Sequence, residues 1–481
     1  MNHRLIARFV GILLTVEAVF MATSIIWAVI DHHYESIQQF AIAVAITGGI
    51  GLLLIRFGQA PTDLIHAREA VATVAIGWIL VGLFGAIPFL LTGAFTHLAD
   101  AFFESVSGFT TTGASALTDV ETLPRSLLWW RSIIQWMGGM GIIVLFIAIL
   151  PRLGVGAGHL FRSEVPGPIT QRLRPKLRHT SLILWYVYLG ITAAEAVLLV
   201  AFGMEPFHAM CHSFTTMATG GFSTLNQSVA GFGSVGIEII IAVFMFLAGV
   251  NFNLYFRVVQ GRPLDLWRDP EFRTYLGITL LAIVLMTTAI LPHKASFGEA
   301  LRHGSFQVVS IQTTTGYATD DFNLYPPFGR LLLVGLMFIG GSAGSTAGGV
   351  KIARFMVLGR GLVNQLIRTF HPRAVLTVKI GNVPVEKETV LVVAAFFGGF
   401  TGLFFVGSLL LAMMGLDIVS ASTAVIASLG NIGPGLARVG PTANYAFVPP
   451  GGKIILSALM ILGRLEILTV LALLVPSFWR K

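Results

Sequence analysis

Runs of about 20 apolar residues, the length a helix needs to cross a bilayer core, recur along this chain between short polar links. Ten stretches qualify: 5–30, 37–57, 71–93, 126–150, 181–202, 235–258, 275–292, 329–357, 389–414 and 453–475. Each predicts a membrane-spanning helix. Between the later pairs lie four shorter, moderately apolar segments, 97–112, 206–219, 298–315 and 417–432, each too short to cross. Every one of them ends in a glycine-containing turn: TTTGAS (110–115), MATGGFS (217–223), TTTGYAT (313–319) and GNIGPGL (430–436).

Aligned on Gly113, Gly220, Gly316 and Gly433, the turns are spaced 107, 96 and 117 residues apart. Each glycine follows a span and a short helix and precedes another span, so one unit is written four times. Four half-crossing hairpins close a ring about a central axis. The predicted fold is an all-α polytopic membrane protein of four span–pore helix–span repeats around a pseudo-fourfold pore, preceded by two extra transmembrane helices. The expected organisation is 1–70, two extra N-terminal spans; 71–150, repeat 1; 151–258, a cytoplasmic loop and repeat 2; 259–357, repeat 3 with a broken second span; and 358–481, a cytoplasmic loop and repeat 4.

Composition agrees with that architecture. The 481 residues are 55% hydrophobic and only 11% charged, where soluble domains are nearer a quarter charged. A net charge of +8 would suggest nucleic acid in a soluble protein; here the excess of Lys and Arg in cytoplasmic loops accounts for it. Segment 151–180 carries six Lys/Arg against one acid, and 351–388 carries seven against two, whereas 203–234 has neither Lys nor Arg. The links between repeats are therefore expected in the cytoplasm, the four turns entering from outside. An even number of spans puts both termini in the cytoplasm, as Arg4, Arg8, Arg480 and Lys481 suggest. Cys211 is the only cysteine, which excludes an intramolecular disulfide and a cysteine-based metal cluster. The basic, apolar N-terminus has too long an apolar run for a signal peptide and reads as a retained first span.

Backbone carbonyls left unpaired at membrane depth persist only where they are buried in protein or line a watery cavity. Four such turns about one axis can replace the hydration shell of a cation, as carbonyl rings do in potassium channels. Glycine accepts positive φ and leaves the lumen open. The short helices aim their negative C-terminal ends at the same point. The candidate filter comprises Thr111, Thr112 and Gly113; Ala218, Thr219 and Gly220; Thr314, Thr315 and Gly316; and Asn431, Ile432 and Gly433. With no ring of carboxylates in the turns, a monovalent cation held by backbone carbonyls is expected rather than calcium.

At these turns the chain resembles the Trk/Ktr/HKT superfamily of potassium transporters, over nearly its whole length. The stretches GFTTTGAS, TTMATGGFS, QTTTGYAT, SLGNIGPGL, GGSAGSTAGGVKIAR (340–354) and GRLEILTVL (463–471) carry the resemblance. The two extra N-terminal spans and the Gly-Pro-Gly after Asn431-Ile432 favour the TrkH type over the shorter KtrB type. The resemblance implies a bacterial inner-membrane protein whose transported ion is K+, with no organic cofactor in this chain. It also implies a homodimer with one pore per protomer, and a cytosolic TrkA-type ring that binds NAD or ATP.

The eighth span is interrupted by GGSAGSTAGG, residues 340–349, with five glycines and three small hydroxyl residues. Each glycine weakens a helix by about 1 kcal/mol relative to alanine, so these backbone groups must face protein or a wet cavity; close helix packing is the plain alternative. In the resembling family this stretch is a gate beneath the filter, which points to Gly340, Gly341, Ser342, Ala343, Gly344, Ser345, Thr346, Ala347, Gly348 and Gly349. Arg464 lies near the middle of 453–475, where a charge costs about 2.5–3.5 kcal/mol even on the lenient insertion scale. It reads either as half of an ion pair, with Glu466 or another acid, or as a positive charge in the permeation path; the resemblance favours the latter. Lys351 either adds to that barrier or marks the cytoplasmic edge. Glu17 and Glu195 read as packing partners inside spans, with proton carriage the open alternative, and His212 and His303 as hydrogen-bonded core residues.

Enzyme motifs fail on context. Gly344–Gly349 lacks the Lys-Ser/Thr pair that a phosphate-binding loop needs directly after its second glycine. GGSAG around Ser342 matches a nucleophile elbow without its strand or a histidine base. The expected function is gated, channel-like permeation, and ion-coupled symport with H+ or Na+ is the alternative.

Overall fold

In a bilayer every backbone N–H and C=O must find a partner inside the protein, and a helix supplies those partners locally. The apolar runs accordingly fold as helices. The computed structural model describes residues 1–58, 67–139, 141, 177–381, 383–465, 467–471, 473 and 475–479. Helices α1 (His3–Ile30) and α2 (Tyr34–Phe57) pack along one another ahead of the repeats. Repeat 1 contains α3 (Ala67–Gly85), its continuation α4 (Ile87–Leu91), the short helix α5 (Leu98–Phe109) and α6 (Arg125–Gly139). Repeat 2 contains α7 (Leu177–Ala201), the short helix α8 (Pro206–Met217), α9 (Val235–Ala248) and α10 (Phe252–Val259). Repeat 3 contains α11 (Pro270–Ile290), the short helix α12 (Phe297–Gln312), α13 (Pro327–Phe338) and α14 (Ile352–Phe370). Repeat 4 contains α15 (Lys387–Met413), the short helix α16 (Ile418–Leu429) and α17 (Pro450–Arg464).

Local signals start these helices where they start. Asp417 caps α16 by accepting the Ser420 N–H at 3.0 Å, and Ser296 caps α12 by accepting that of Glu299 at 3.2 Å. Proline opens α8, α13 and α17, where its missing N–H would have been unpaired anyway.

Packing closes the repeats into a ring. Each short helix lies against both spans of its own repeat and against the second span of the preceding one: α5 on α17, α8 on α6, α12 on α9 and α16 on α13. The fold is an all-α polytopic membrane protein with a pseudo-fourfold arrangement and two leading helices.

The second spans differ from expectation. Only 329–357 reads as strongly broken in the sequence, yet α9 and α10 meet at 97°, breaking 235–258, and α17 ends at Arg464, interrupting 453–475. The break after α9 needs only three residues, Gly249 to Asn251, with the Asn251 side chain accepting the Asn253 N–H to start α10. Hydropathy windows average over such a short interruption. Among the described residues, six helices are therefore long and apolar enough to cross a membrane, or seven with the bent pair counted as one span. Of the expected span 126–150, α6 covers the part up to Gly139, and most of the remainder lies outside the described residues. So does most of the basic segment 151–180, including Arg172, Arg174 and Lys176. In 351–388 the amphipathic α14 is followed by a two-stranded antiparallel hairpin, Lys379–Ile380 with Val383–Pro384.

Candidate cation pathway

The four turns share one backbone conformation. Each short helix ends at a residue in the left-handed region: Thr111 (φ 55°), Thr219 (54°), Thr314 (59°) and Asn431 (54°). The next N–H reaches back to the last helical turn, Thr112 to Ser107 O at 2.8 Å, Gly220 to Thr215 O at 2.8 Å, Thr315 to Ser310 O at 2.9 Å and Ile432 to Ala427 O at 2.8 Å. This is the 6→1 bond of a Schellman cap. A second left-handed residue follows in every repeat, and it is glycine: Gly113 (φ 79°), Gly221 (75°), Gly316 (83°) and Gly433 (100°).

The pattern corrects the alignment in repeat 2. Gly220, paired with Gly113 by sequence, matches Thr112, Thr315 and Ile432 instead, and Gly221 stands where the other three repeats have their glycine. The dipeptide Gly220-Gly221 offered two choices, and the Schellman bond decides between them.

The glycines interlock around the ring. A methyl group on Gly113 would overlap Gly220 O, one on Gly221 would overlap Thr315 O, one on Gly316 would overlap Ile432 O, and one on Gly433 would approach Thr112 O to 2.7 Å. Each glycine thus sits against the carbonyl of the next repeat, and the fourth meets the first. No other residue type fits four such contacts at positive φ.

Side chains brace this ring, and several were not singled out in the sequence. Gln135 on α6 spans the second turn, donating to Gly220 O at 2.7 Å and accepting from Phe222 N at 3.0 Å. Tyr445 donates to Gly433 O at 2.7 Å, and Asn431 Nδ2 donates to Thr112 Oγ1 and Met460 O, both at 3.0 Å. Glu104, buried on α5, pairs with the buried Arg131 at 2.9 Å and accepts the Ala116 N–H at 2.9 Å. Arg131 also donates to Ser223 O at 3.1 Å and lies over the Phe222 ring, tying repeat 1 to repeat 2. A mid-helix acid and the one arginine of 126–150 in apolar segments were the available signal. His212 takes the same helical position in repeat 2, bonded to His208 O at 2.8 Å and Ser223 Oγ at 3.1 Å. His303 contacts Thr319 at 3.4 Å.

Asp119 and Asn226 join the loops that follow turns 1 and 2, and the Asn226 amide at 2.7 Å holds the Asp119 carboxyl below its usual range.

Segment 339–351 is a loop wedged between the broken second spans. Gly340 N–H pairs with Val350 O at 3.0 Å, Gly341 O accepts from Ile352 at 3.2 Å, and Ser345 Oγ donates to Ser342 O at 2.6 Å. Ser342 N–H donates to Gly249 O at 2.9 Å, Gly344 O accepts from Phe252 at 3.0 Å, and Thr346 Oγ1 donates to Ala248 O at 3.1 Å. The bonds to Gly249 O and Ala248 O satisfy carbonyls that the end of α9 leaves unpaired, and Gly344 O satisfies an N–H that the start of α10 leaves unpaired. Glu271 on α11 accepts from Ala343 N at 2.7 Å and Ala353 N at 3.0 Å, clasping both ends of the loop. Lys351 is buried, and its ammonium donates to Ala347 O.

Arg464 meets this loop directly. It donates to Thr346 O at 2.9 Å and, from the other guanidinium nitrogen, to Gly138 O at 2.6 Å and Gly139 O at 2.9 Å. One side chain from repeat 4 therefore joins the loop of repeat 3 to the end of α6 in repeat 1. Glu466, its sequence-proposed partner, lies outside the described residues.

Four half-crossing hairpins in a closed ring, with helices long enough to span a bilayer, define a multi-pass membrane transporter. The chain belongs to the TrkH family of cation transport proteins, whose family model matches residues 32–481. It is 40% identical to the Trk system potassium uptake protein TrkH of Salmonella typhimurium, covering all of both chains. To the Trk system potassium uptake protein TrkG of Escherichia coli it is 35% identical over 87% of this chain and 86% of that one. The crystal structure of the potassium transporter TrkH from Vibrio parahaemolyticus superposes with a TM-score of 0.89 at 37% identity over the whole of both chains.

Proposed function

We propose that this chain conducts K+ into a bacterial cell across the inner membrane, through a filter formed by the four turns. The carrying observation is the interlocked ring, in which each glycine abuts the carbonyl of the next repeat. The ions named for the similar Trk proteins support K+ as the cation. Loop 339–351 and Arg464 form the barrier beneath the filter, and its release admits ions. A fixed positive charge within about 4–6 Å of the ion path opposes a cation by roughly 3–4 kcal/mol at an effective dielectric near 20. The chain works as a homodimer with both termini in the cytoplasm, and a cytosolic nucleotide-binding ring of the TrkA type controls the barrier.

Ion-coupled symport is the second reading, favoured by two fully buried carboxyl groups. Glu17 has no hydrogen-bond partner among the described residues, and Glu195 faces Thr216. Reversal potentials of the purified protein in bilayers separate the two. With K+ as the sole alkali cation, a passive pore reverses at the K+ equilibrium potential whatever the pH gradient, and added Na+ moves it only as far as the K+ to Na+ permeability ratio allows. A reversal potential that moves with the pH gradient at constant K+, or beyond that limit with Na+, establishes coupling and overturns channel-like permeation.

A further inference from the structure

The left-handed residue that ends each short helix uses its side chain differently in the four repeats. Thr219 Oγ1 turns back on Ala218 O at 2.6 Å, Asn431 Nδ2 bonds Thr112 and Met460, and Thr111 Oγ1 has no partner among the described residues. Thr314 reaches the loop: its hydroxyl accepts the Gly348 N–H at 2.6 Å. Gly348 is simultaneously seated under the next turn, where a methyl group would overlap Gly430 O and approach Asn431 Cβ to 2.9 Å. Gly349 stacks beside Thr314, with a built Cβ 3.7 Å from its Cγ2. The apex of the barrier loop is thus fitted against two adjacent turns of the ring.

We infer that Thr314 links ion occupancy of the filter to the position of the loop, so that K+ itself favours release of the barrier. The inference rests on the reading of the turns as a K+ filter and of 339–351 as its barrier. With the loop in place, the Gly348 N–H occupies a lone pair of the Thr314 hydroxyl and sets a positive dipole end against the lower edge of the turn. Both effects weaken cation binding there. When the loop leaves, the hydroxyl is free to rotate toward an ion and the opposing N–H is gone. An ion that binds the released state better must shift the equilibrium toward it, and by reciprocity loop release tightens ion binding.

Amide hydrogen exchange on the full-length protein in detergent, in KCl and in NaCl at equal ionic strength, reads the loop directly. Thermal stabilisation by K+ over Na+ on the same samples reads filter occupancy. Exchange of 340–351 is expected to be faster in KCl by about fivefold, the equilibrium shift of one net hydrogen bond. Thr314→Ser keeps that ion dependence. Thr314→Val removes acceptor and side-chain ion ligand together, giving fast loop exchange in both salts with K+ stabilisation reduced but not abolished, because the other turns still hold the ion. Equal exchange in KCl and NaCl in the unaltered protein, with K+ stabilisation present, overturns the linkage, and so does an undiminished ion dependence in Thr314→Val. Loss of K+ stabilisation in every sample, the unaltered protein included, overturns the filter reading and the linkage with it. The unaltered protein alone decides the matter if Thr314→Val does not fold.

Discussion

Gly220 and Gly221 are neighbours with different duties. A Cβ on Gly220 presses on the Gln135 side chain, which can yield, whereas one on Gly221 presses on the backbone carbonyl of Thr315 at a left-handed φ. Gly221→Ala should therefore lower the Rb+ to Na+ uptake ratio by about fivefold or more, the weight of ~1 kcal/mol of left-handed strain, and Gly220→Ala should change it less. Vesicle uptake of the two ions measures both, and a larger effect at Gly220 would restore the sequence alignment. The ring should prefer K+ and Rb+ over Na+ and Li+ less sharply than a potassium channel does, because its four turns differ in sequence. Gly113, Gly316 and Gly433 were legible as turn glycines because a short apolar helix runs straight into each. Gln135 and Tyr445 were not, since their partners lie in another repeat or across the turn.

The loop and Arg464 should act as one element. Arg464→Ala should raise Rb+ flux in the absence of a regulator, by up to two orders of magnitude for a barrier of roughly 3 kcal/mol. Shortening 342–347 should do the same. Because Arg464 bonds Thr346 within that stretch, the double change should exceed the larger single change only slightly. Flux that falls in both single variants, at unchanged protein level and ion preference, would show that these groups aid conduction. Glu271 belongs to the same element through its two bonds to Ala343 and Ala353. Glu271→Ala should raise regulator-free flux about tenfold, from the loss of its two hydrogen bonds to the loop, with Glu271→Gln in between; unchanged flux in both would remove the clasp from the barrier. Five glycines in ten residues made the loop visible in the sequence. Glu271 had no such mark, because an acid in the first turn of a helix is the ordinary choice for its dipole.

At the scale of the whole molecule, four units closing a ring were readable because a span, a short helix and a turn glycine recur together four times. The breaks in the second spans of repeats 2 and 4 were not, since an interruption such as Gly249–Asn251 vanishes in an average over a bilayer-length window. The basic links 151–180 and 351–388 should dock the regulatory ring, and neutralising Arg172, Arg174, Lys176 and Arg178 together should weaken its co-purification in a variant that still folds. Full retention would move the docking surface elsewhere. The ring of turns as the K+ filter is tested most directly by the Rb+ to Na+ uptake ratio of vesicles carrying Gly113→Ser, Gly221→Ser, Gly316→Ser or Gly433→Ser, each compared with the unaltered protein. A side chain at any of the four presses on the next repeat's carbonyl, so the ratio should fall in all four. An unchanged ratio in all four, with transport intact, would place ion selection outside the ring.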